Sequence, residues 1–491
     1  MSIKLMDILG QTARMAPELR PRQSSQCSVA IIGGGFSGCM LAAQLLRRDP
    51  STSVTLVDPA PVVGLGVAYA TTYASHLLNV PAGNMSALPD DPEHFVHWAQ
   101  LNYDSDVAAE DFLPRRVYGQ YIQSILREEE RRSPYRLQII REEAASIVQR
   151  DGTARVILAG GQSITADKVV LALGNFPAGS HRLSGMSSVG ASLISHAWTF
   201  NALELQEISN KESVLLIGSG LTAVDVAIAL RAHEFTGTIH ILSRHGLLPK
   251  GHTDGNTVCA AWENEFPRSM RDLLRLVREQ IETEQRHGRD WRSVIDSLRP
   301  CTSKIWQSLP IAERRRFLRH VRAYWDVHRH RIAPVISAQI DSEVAGGGLQ
   351  LHSGRVTGCG EERDAVVVSY RDRKTGETRK ICSGRVINCT GPETDCRKVA
   401  SPLLHNLLGQ GLVRPDPLFL GFDVAEDGAL IDSSGLKSNF LYAIGPLLKG
   451  RHWESIAVPE IRVQIAELAA KLTDSNPKMP EIFEPADASL F

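Results

Sequence analysis

Residues 29–58 read VAIIGGGFSGCMLAAQLLRRDPSTSVTLVD, and the rest of the chain is organised around them. Val29 to Ile32 is a short β-branched run of the kind found in buried parallel strands. Gly33, Gly35 and Gly38 follow in G-x-G-x-x-G spacing. The first glycine allows a tight turn, the second lets the backbone approach a pyrophosphate, and the third lets the next helix lie close on the strand. The helix predicted from Phe36 to about Arg48 points its free N–H groups and positive dipole end at that phosphate. Asp49 precedes Pro50 in the link to the second strand, too early to meet a ribose. Asp58 lies 20 residues past Gly38, directly after the apolar run Val54 to Val57, where a carboxylate accepts hydrogen bonds from ribose hydroxyls. The bland alternative is a Rossmann-like unit that holds nothing.

The chain has 491 residues, enough for two or three packed domains. Its 54 basic and 55 acidic residues leave a formal charge of −1, which gives no field to draw in nucleic acid or an anionic membrane. No run of 18 apolar residues appears, so no spanning helix is expected. Residues 1–27 lack an apolar core followed by a cleavage site. They carry Lys4, Arg14, Arg20 and Arg22, as a transit peptide would, but Asp7 and Glu18 argue for a loose surface extension. The eight cysteines, at 27, 39, 259, 301, 359, 382, 389 and 396, form no C-x-x-C pair and no metal-ligand spacing. So few in so long a chain point to a reducing, cytoplasmic compartment. The missing C-x-x-C also removes the dithiol of a flavin disulfide reductase.

After Asp58, the segments Gly64 to Tyr69 and His76 to Ala82 mix loop signals with apolar residues and are too irregular for a long helix. Such a segment can fold back over a cofactor, where Asn79 would meet a redox ring or substrate; equally, Asn79 is a turn residue before Val80-Pro81. Pro92 to Leu101 and Tyr118 to Arg132 have helical spacing. Residues 135–173 change period. Arg136 to Ile140 and Ala154 to Leu158 read as antiparallel strands, and Lys168 to Gly174 as a buried strand ending on a glycine.

The opening pattern then recurs. Ser213 to Ile217 is a buried strand, and Gly218, Gly220 and Ala223 repeat the turn, with alanine in the third place. Thr238 to Leu242 is the second strand of this unit, and no acid follows it. Arg244 stands there instead, suited to a 2′-phosphate that an acid would repel; the alternative is an arginine merely exposed at a strand end. Residues 259–331 break the alternation and read as an arginine-rich helical insertion. Arg322, Trp325, His328 and Arg329 share one helical face. With Arg331, that face either supplies cations to an anionic or amide-bearing substrate or packs the insertion onto the main body. Arg451 is a further substrate candidate. Leu349 to His352 and Ala365 to Asp372 make another meander ending at Gly391, and Phe440 to Gly445 is a last buried strand ending on glycine.

The fold expected is α/β, with two Rossmann-like dinucleotide-binding domains, β-meanders and an inserted helical segment. The first domain comprises 28–205 and 392–473, the second 206–391 with the insertion at about 259–331. Residues 1–27 and 474–491 lie outside both. One unit ending in an acid and one in an arginine suggest FAD on the first and NADPH on the second, with NADH as the lesser alternative. Such a pair either activates O2 as a flavin hydroperoxide or passes electrons onward, and without a dithiol the first is favoured.

The stretches VAIIGGGFSG, GLGVAY, HLLNVPAGNMSALPDDPEHFVHWA, PRRVYGQYI, VLLIGSGLTAVD, LSRHGLLPKGH, YWDVHRHRIAP, VINCTGP and AIGPLLKGRHWESIAVPEIR resemble the bacterial FAD/NAD(P)-binding flavoprotein monooxygenases. That family includes a urate hydroxylase and aspartate N-monooxygenases; ornithine and lysine N-hydroxylases and Baeyer–Villiger enzymes are more distant. The resemblance runs from about residue 28 to 470. It implies FAD contacts at Gly33, Gly35, Ser37, Gly38 and Asp58, and nicotinamide-cofactor contacts at Gly218, Gly220, Thr222 and Arg244. Phe36, Asn79, Gly174, Gly391 and Gly445 complete the candidate cofactor residues. Gly445-Pro446 replaces the Gly-Asp of the wider flavoprotein pattern, so a carboxylate contact to the ribityl chain is not expected. The function expected is an NAD(P)H-dependent flavin monooxygenase acting with O2 on a small polar nitrogen-containing substrate, urate first, with amino-acid (aspartate-type) N-hydroxylation as the alternative. A reductase or oxidase using a quinone or protein acceptor, and a non-enzymatic flavin sensor, are the readings from other classes.

Overall fold

Ser28–Ile32 (β1), Phe36–Arg48 (α1) and Ser53–Val57 (β2) form the opening unit in the computed structural model, with β1 and β2 parallel from Ser28 opposite Ser53 to Ile32 opposite Val57. The structure describes residues 27–150, 152–179, 194–197, 208, 213–253, 262, 266–362 and 365–474; nearly all of the expected N-terminal extension, the tail from 475 onward and Cys259 lie outside them. The turn between β1 and α1 requires two of its glycines. Gly33 has φ +108°, and a Cβ there would lie 2.3 Å from the carbonyl oxygen of Ala172. A Cβ on Gly38 would lie 1.9 Å from the carbonyl oxygen of Gly33.

The irregular segment that follows contains one helical turn, Gly66–Tyr69 (α2), and folds back on the glycine turn, Gly64 N donating to Gly34 O at 2.7 Å. His94–Asn102 (α3) and Arg115–Arg132 (α4) pack onto α1 through the buried Phe95, Tyr118, Tyr121 and Ile122. Leu137–Ile140 (β3) departs from expectation. It is not a meander strand but the parallel edge of the main sheet, with Val54 opposite Leu137. A short apolar run satisfies either pairing, and its period does not tell a parallel edge from an antiparallel neighbour. The meander is instead Ala144–Arg150 (β4), Thr153–Leu158 (β5) and Ser163–Ala166 (β6), before Lys168–Leu171 (β7) returns beside β1.

The second unit starts with Ile194–His196 (β8), then Val214–Ile217 (β9), Leu221–Ala232 (α5) and Ile239–Ser243 (β10). The arginine-rich insertion is helical as expected: Met270–Arg286 (α6), Trp291–Ser297 (α7), Thr302–Ser308 (α8), Ile311–Arg316 (α9) and Arg322–Arg329 (α10), followed by Pro334–Ala345 (α11). Leu349–Glu362 (β11) corrects a second expectation. Its first five residues pair parallel with β10, and only the remainder is antiparallel to Ala365–Asp372 (β12), with a register shift between Val356 and Gly358. Thr378–Ser383 (β13) and Arg385–Asn388 (β14) follow, then Pro402–Gly409 (α12), Ala429–Ile431 (β15), Lys437–Ala443 (β16) and Val458–Thr473 (α13).

Among the described residues the strands form two large sheets, β15-β16-β7-β1-β2-β3 and β13-β12-β11-β10-β9-β14-β8, and a small one, β4-β5-β6. The two large sheets repeat one local design. β14 lies beside β9 as β7 lies beside β1, and Gly218, at φ +110°, would place a Cβ 2.2 Å from the carbonyl oxygen of Cys389, as Gly33 does with Ala172. Each glycine turn is thus closed by the strand on its other flank. Apolar layers cover the sheets: α1, α4 and α13 share one core, while α5 buries Val224, Ala227, Ile228 and Leu230 over the second sheet.

Candidate active site between the two sheets

The two glycine turns present helix N-termini without side-chain caps. Gly35 caps α1 and Gly220 caps α5, neither cap makes a side-chain hydrogen bond, and neither first turn holds an acid. Uncapped amides at a positive dipole end suit an anion such as a pyrophosphate. At the first turn, Asp58 accepts from Gly34 N at 2.5 Å and from Ala60 N at 2.8 Å, so its carboxylate stands at the turn itself. Gly445, at φ +77°, lies beside Ser37 in the first turn of α1, where a Cβ would meet Ser37 Oγ at 2.9 Å. Gly174 and Gly391, at φ +66° and +82°, follow the paired strands β7 and β14, and a Cβ on either would meet no atom within 4 Å. Glycine-lined open space at both strand ends, facing uncapped helices, fits a dinucleotide in each unit.

At the second turn, Ser219 Oγ lies 2.8 Å from Ser243 Oγ and donates to Leu247 O at 2.6 Å, which ties the turn to the loop after β10. Arg244, in that loop, is exposed. Thr222 lies in the first turn of α5 and faces the space between the two units.

That space is a cavity of about 1710 Å³. One wall is the segment from Gly66 to Met85, including Asn79; another is the Leu221, Thr222 and Asp225 face of α5; the third comes from the insertion and the C-terminal region. The third wall is charged and buried. Arg331 is 4% exposed and donates through Nη2 to Asp296 Oδ1 at 2.5 Å, while its Nε and Nη1 have no hydrogen-bond partner. Arg329 lies 3.7 Å from both Glu454 and Glu460, and Arg299 makes a forked contact with Glu460 at 2.5 and 2.9 Å. Glu454 accepts from Trp325 Nε1 at 3.0 Å and lies 3.5 Å from His330 Nε2. Burial pushes the Glu454 carboxyl up, but His330, Arg329 and Trp325 outweigh it and hold the group well below the usual carboxylate range. His252 donates from Nε2 to Asn79 O at 3.1 Å; burial, then the Arg331 charge, bring it down to about 4, so the ring is neutral at pH 7.

The structure therefore brings Asn79, Thr222 and Arg331 to one cavity. His328 lies elsewhere: its ring centroid is 4.7 Å from that of Trp291, beside a separate apolar cavity of about 540 Å³. Arg451 is also outside the wall, with a buried Nε that has no hydrogen-bond partner. Of the shared face, Trp325 and Arg329 join the insertion to the C-terminal region through Glu454, while Arg322 pairs with Asp326 of its own helix. Sequence reasoning missed Asp225, His252, Asp296, Arg299 and Glu454 as wall residues. Each sits on a different element; the stretches quoted for the resemblance contain Asp225, His252 and Glu454, but nothing in them marks these as wall residues, and Asp296 and Arg299 lie outside every such stretch. Among the described residues, no group of His, Cys, Asp and Glu could hold a metal, and no helix is long and apolar enough to cross a membrane.

Two glycine turns of dinucleotide-binding form, with a charged cavity between their units, mark a protein built to hold FAD and a nicotinamide dinucleotide. Residues 30–176 match the FAD-NAD(P)-binding family model, and the chain as a whole shares the fold of bacterial flavin N-monooxygenases. The reduced ornithine hydroxylase of Pseudomonas aeruginosa is 17% identical, with a TM-score of 0.62 over 91% of this chain and 99% of that one. The L-lysine 6-monooxygenase of Pseudomonas syringae is 16% identical, with a TM-score of 0.62 over the same 91% and 99%. The FAD-bound cadaverine monooxygenase of Erwinia amylovora is 14% identical, with a TM-score of 0.63 over 94% and 99%. A flavoprotein chain of sulfide dehydrogenase (flavocytochrome c) from Chlorobaculum thiosulfatiphilum is 55% identical over 31 residues, 6% of this chain; the chain covers 65% of that relative's length.

Proposed function

We propose that the protein is an NADPH- and FAD-dependent monooxygenase that N-hydroxylates a small amino acid: R–NH2 + O2 + NADPH + H+ gives R–NHOH + NADP+ + H2O. The observation that carries this is Arg331, a buried guanidinium whose Nε and Nη1 are unpaired, in a cavity wall that also carries the carboxylate of Glu454. Buried charged donors without partners are costly, and a substrate carboxylate satisfies them. Glu454, ionised at any ordinary pH, offers the opposite charge for an ammonium group.

FAD would be held by Gly33, Gly35, Phe36, Ser37, Gly38 and Asp58, with Gly174 and Gly445 leaving it room. NADPH would be held by Gly218, Gly220 and Thr222, with Gly391 alongside and Arg244 toward the 2′-phosphate. The bound flavin supplies electron transfer from NADPH and activation of O2. The chain's own groups bind and orient. Arg331 takes the substrate carboxylate, Glu454 the amine end, and neutral His252 keeps its Nε2 proton on Asn79 O, which ties the Asn79 segment to the stretch just before the insertion. Burial of Arg331 and Glu454 strengthens each charged contact made in this wall.

Ornithine, lysine and cadaverine, the substrates named for the structural neighbours, are primary amines; they support the amino-acid alternative over urate. The test is NADPH oxidation and oxygen uptake over a panel of aspartate, glutamate, ornithine, lysine and urate. Acceleration by an amino acid is expected. Acceleration by urate alone, or by none of the panel, contradicts the reading.

A further inference from the structure

We propose that Arg115 and Asp225 form a latch that fixes the second glycine unit against the first, so that they act as positioning residues for transfer between the two cofactors. This rests on the NADPH reading of the second turn but not on the identity of the hydroxylated substrate. Arg115 belongs to the first unit. Its backbone N donates to His76 O at 2.8 Å and its Nε to Leu77 O at 2.9 Å, which leaves the two terminal nitrogens pointing away. Those two donate to Asp225 Oδ2 at 2.6 Å and Oδ1 at 3.0 Å. Asp225 lies on α5, three residues after Thr222 and so on nearly the same face.

A forked arginine–carboxylate contact fixes orientation as well as distance. It is reinforced by His76, whose Nε2 donates to the backbone carbonyl of Asp225 at 3.0 Å while Nδ1 accepts from Thr71 Oγ1 at 2.8 Å. Burial keeps His76 below its ordinary pKa, in keeping with a neutral ring in these two roles. A second grip lies further along the helix. Tyr73 meets His233 edge-on, with ring centroids 5.2 Å apart. His233 follows Asp225 by eight residues, about 12 Å along a helix at about 1.5 Å per residue. Two attachments that far apart prevent α5 from pivoting about either one. Side chains of the pair are 15% and 23% exposed, so water competes little with the contact. The N-terminus of α5 is the proposed phosphate cradle, so the latch sets where the nicotinamide end of a bound cofactor falls. Small errors in such placement carry large rate costs.

The test uses the FAD-loaded enzyme and the variant Asp225→Asn, which keeps shape and removes charge. NADPH should reduce its flavin at least about tenfold more slowly than in the wild type. Flavin content, NADPH affinity and reduction by dithionite should be unchanged. In flavin-free protein, amide hydrogen exchange should quicken in 69–78 and 221–232 and not in the two sheets. Arg115→Lys, which keeps the charge and loses the fork, carries the same test should Asp225→Asn not fold. Wild-type reduction rates, or a loss confined to NADPH affinity with unchanged exchange, would overturn the latch. A wild-type flavin that NADPH does not reduce would contradict the cofactor reading, and hydrogen exchange would then decide the latch alone.

Discussion

Arg331 and Asp296 are joined by one hydrogen bond, Nη2 to Oδ1 at 2.5 Å, and the other face of the same guanidinium is left unpaired in the cavity wall. Asp296 therefore aims Arg331 without consuming it. Arg331→Gln should raise the KM of the amino-acid substrate by about 10–100-fold, the range set by losing a hydrogen bond to a charged group. The rate at which NADPH reduces the flavin should not change. Steady-state kinetics over both substrates checks this, and an equal loss in flavin reduction would place Arg331 outside the substrate site.

Arg244 should discriminate between the two nicotinamide cofactors. Arg244→Ala is expected to weaken NADPH binding by about tenfold or more, the value of a charge-assisted contact to phosphate. NADH should bind as before. Titrations of the oxidised enzyme with NADP+ and NAD+ measure both.

Gly218 has no room for a side chain. Gly218→Ala combines a backbone at φ +110° with a Cβ driven to 2.2 Å from the Cys389 carbonyl oxygen. Strain of this kind costs about 1–3 kcal/mol before any clash is counted. The variant should melt earlier and lose NADPH-driven reduction while keeping its flavin, because Gly33 and its own partner strand are untouched.

His252 makes stability depend on pH in a defined window. Its folded-state value of about 4 lies below the ordinary 6.5, because burial and then Arg331 disfavour its charge. Between those values the unfolded chain binds more protons than the folded one, so stability falls as pH drops from 6.5 toward 4. Urea unfolding at several pH values measures the slope, and His252→Gln should make it shallower, the remainder coming from other histidines that burial holds below their ordinary value, such as His76 and His452.

The two glycine turns were legible because their chemistry is local. Spacing at Gly33, Gly35 and Gly38, and again at Gly218, Gly220 and Ala223, prescribes strand, turn and helix within a few residues. Pairing partners were less legible. β3 and the start of β11 carry apolar runs that satisfy a parallel or an antiparallel neighbour equally, and only the assembled sheet decides. The cavity wall was least legible. Arg331 was named from a cluster of cations, but His328 of the same cluster turns to Trp291. Glu454, Asp296 and His252 reach the wall from separate elements, and no spacing rule links residues that meet only in the tertiary fold.

The most direct test of the account is the fate of the oxygen atom. Enzyme, NADPH and the best amino acid of the panel, incubated under 18O2, should yield an N-hydroxylated product carrying one labelled oxygen, with one NADPH consumed per product. Unlabelled product, or NADPH oxidation that yields only peroxide with every amine offered, would contradict it.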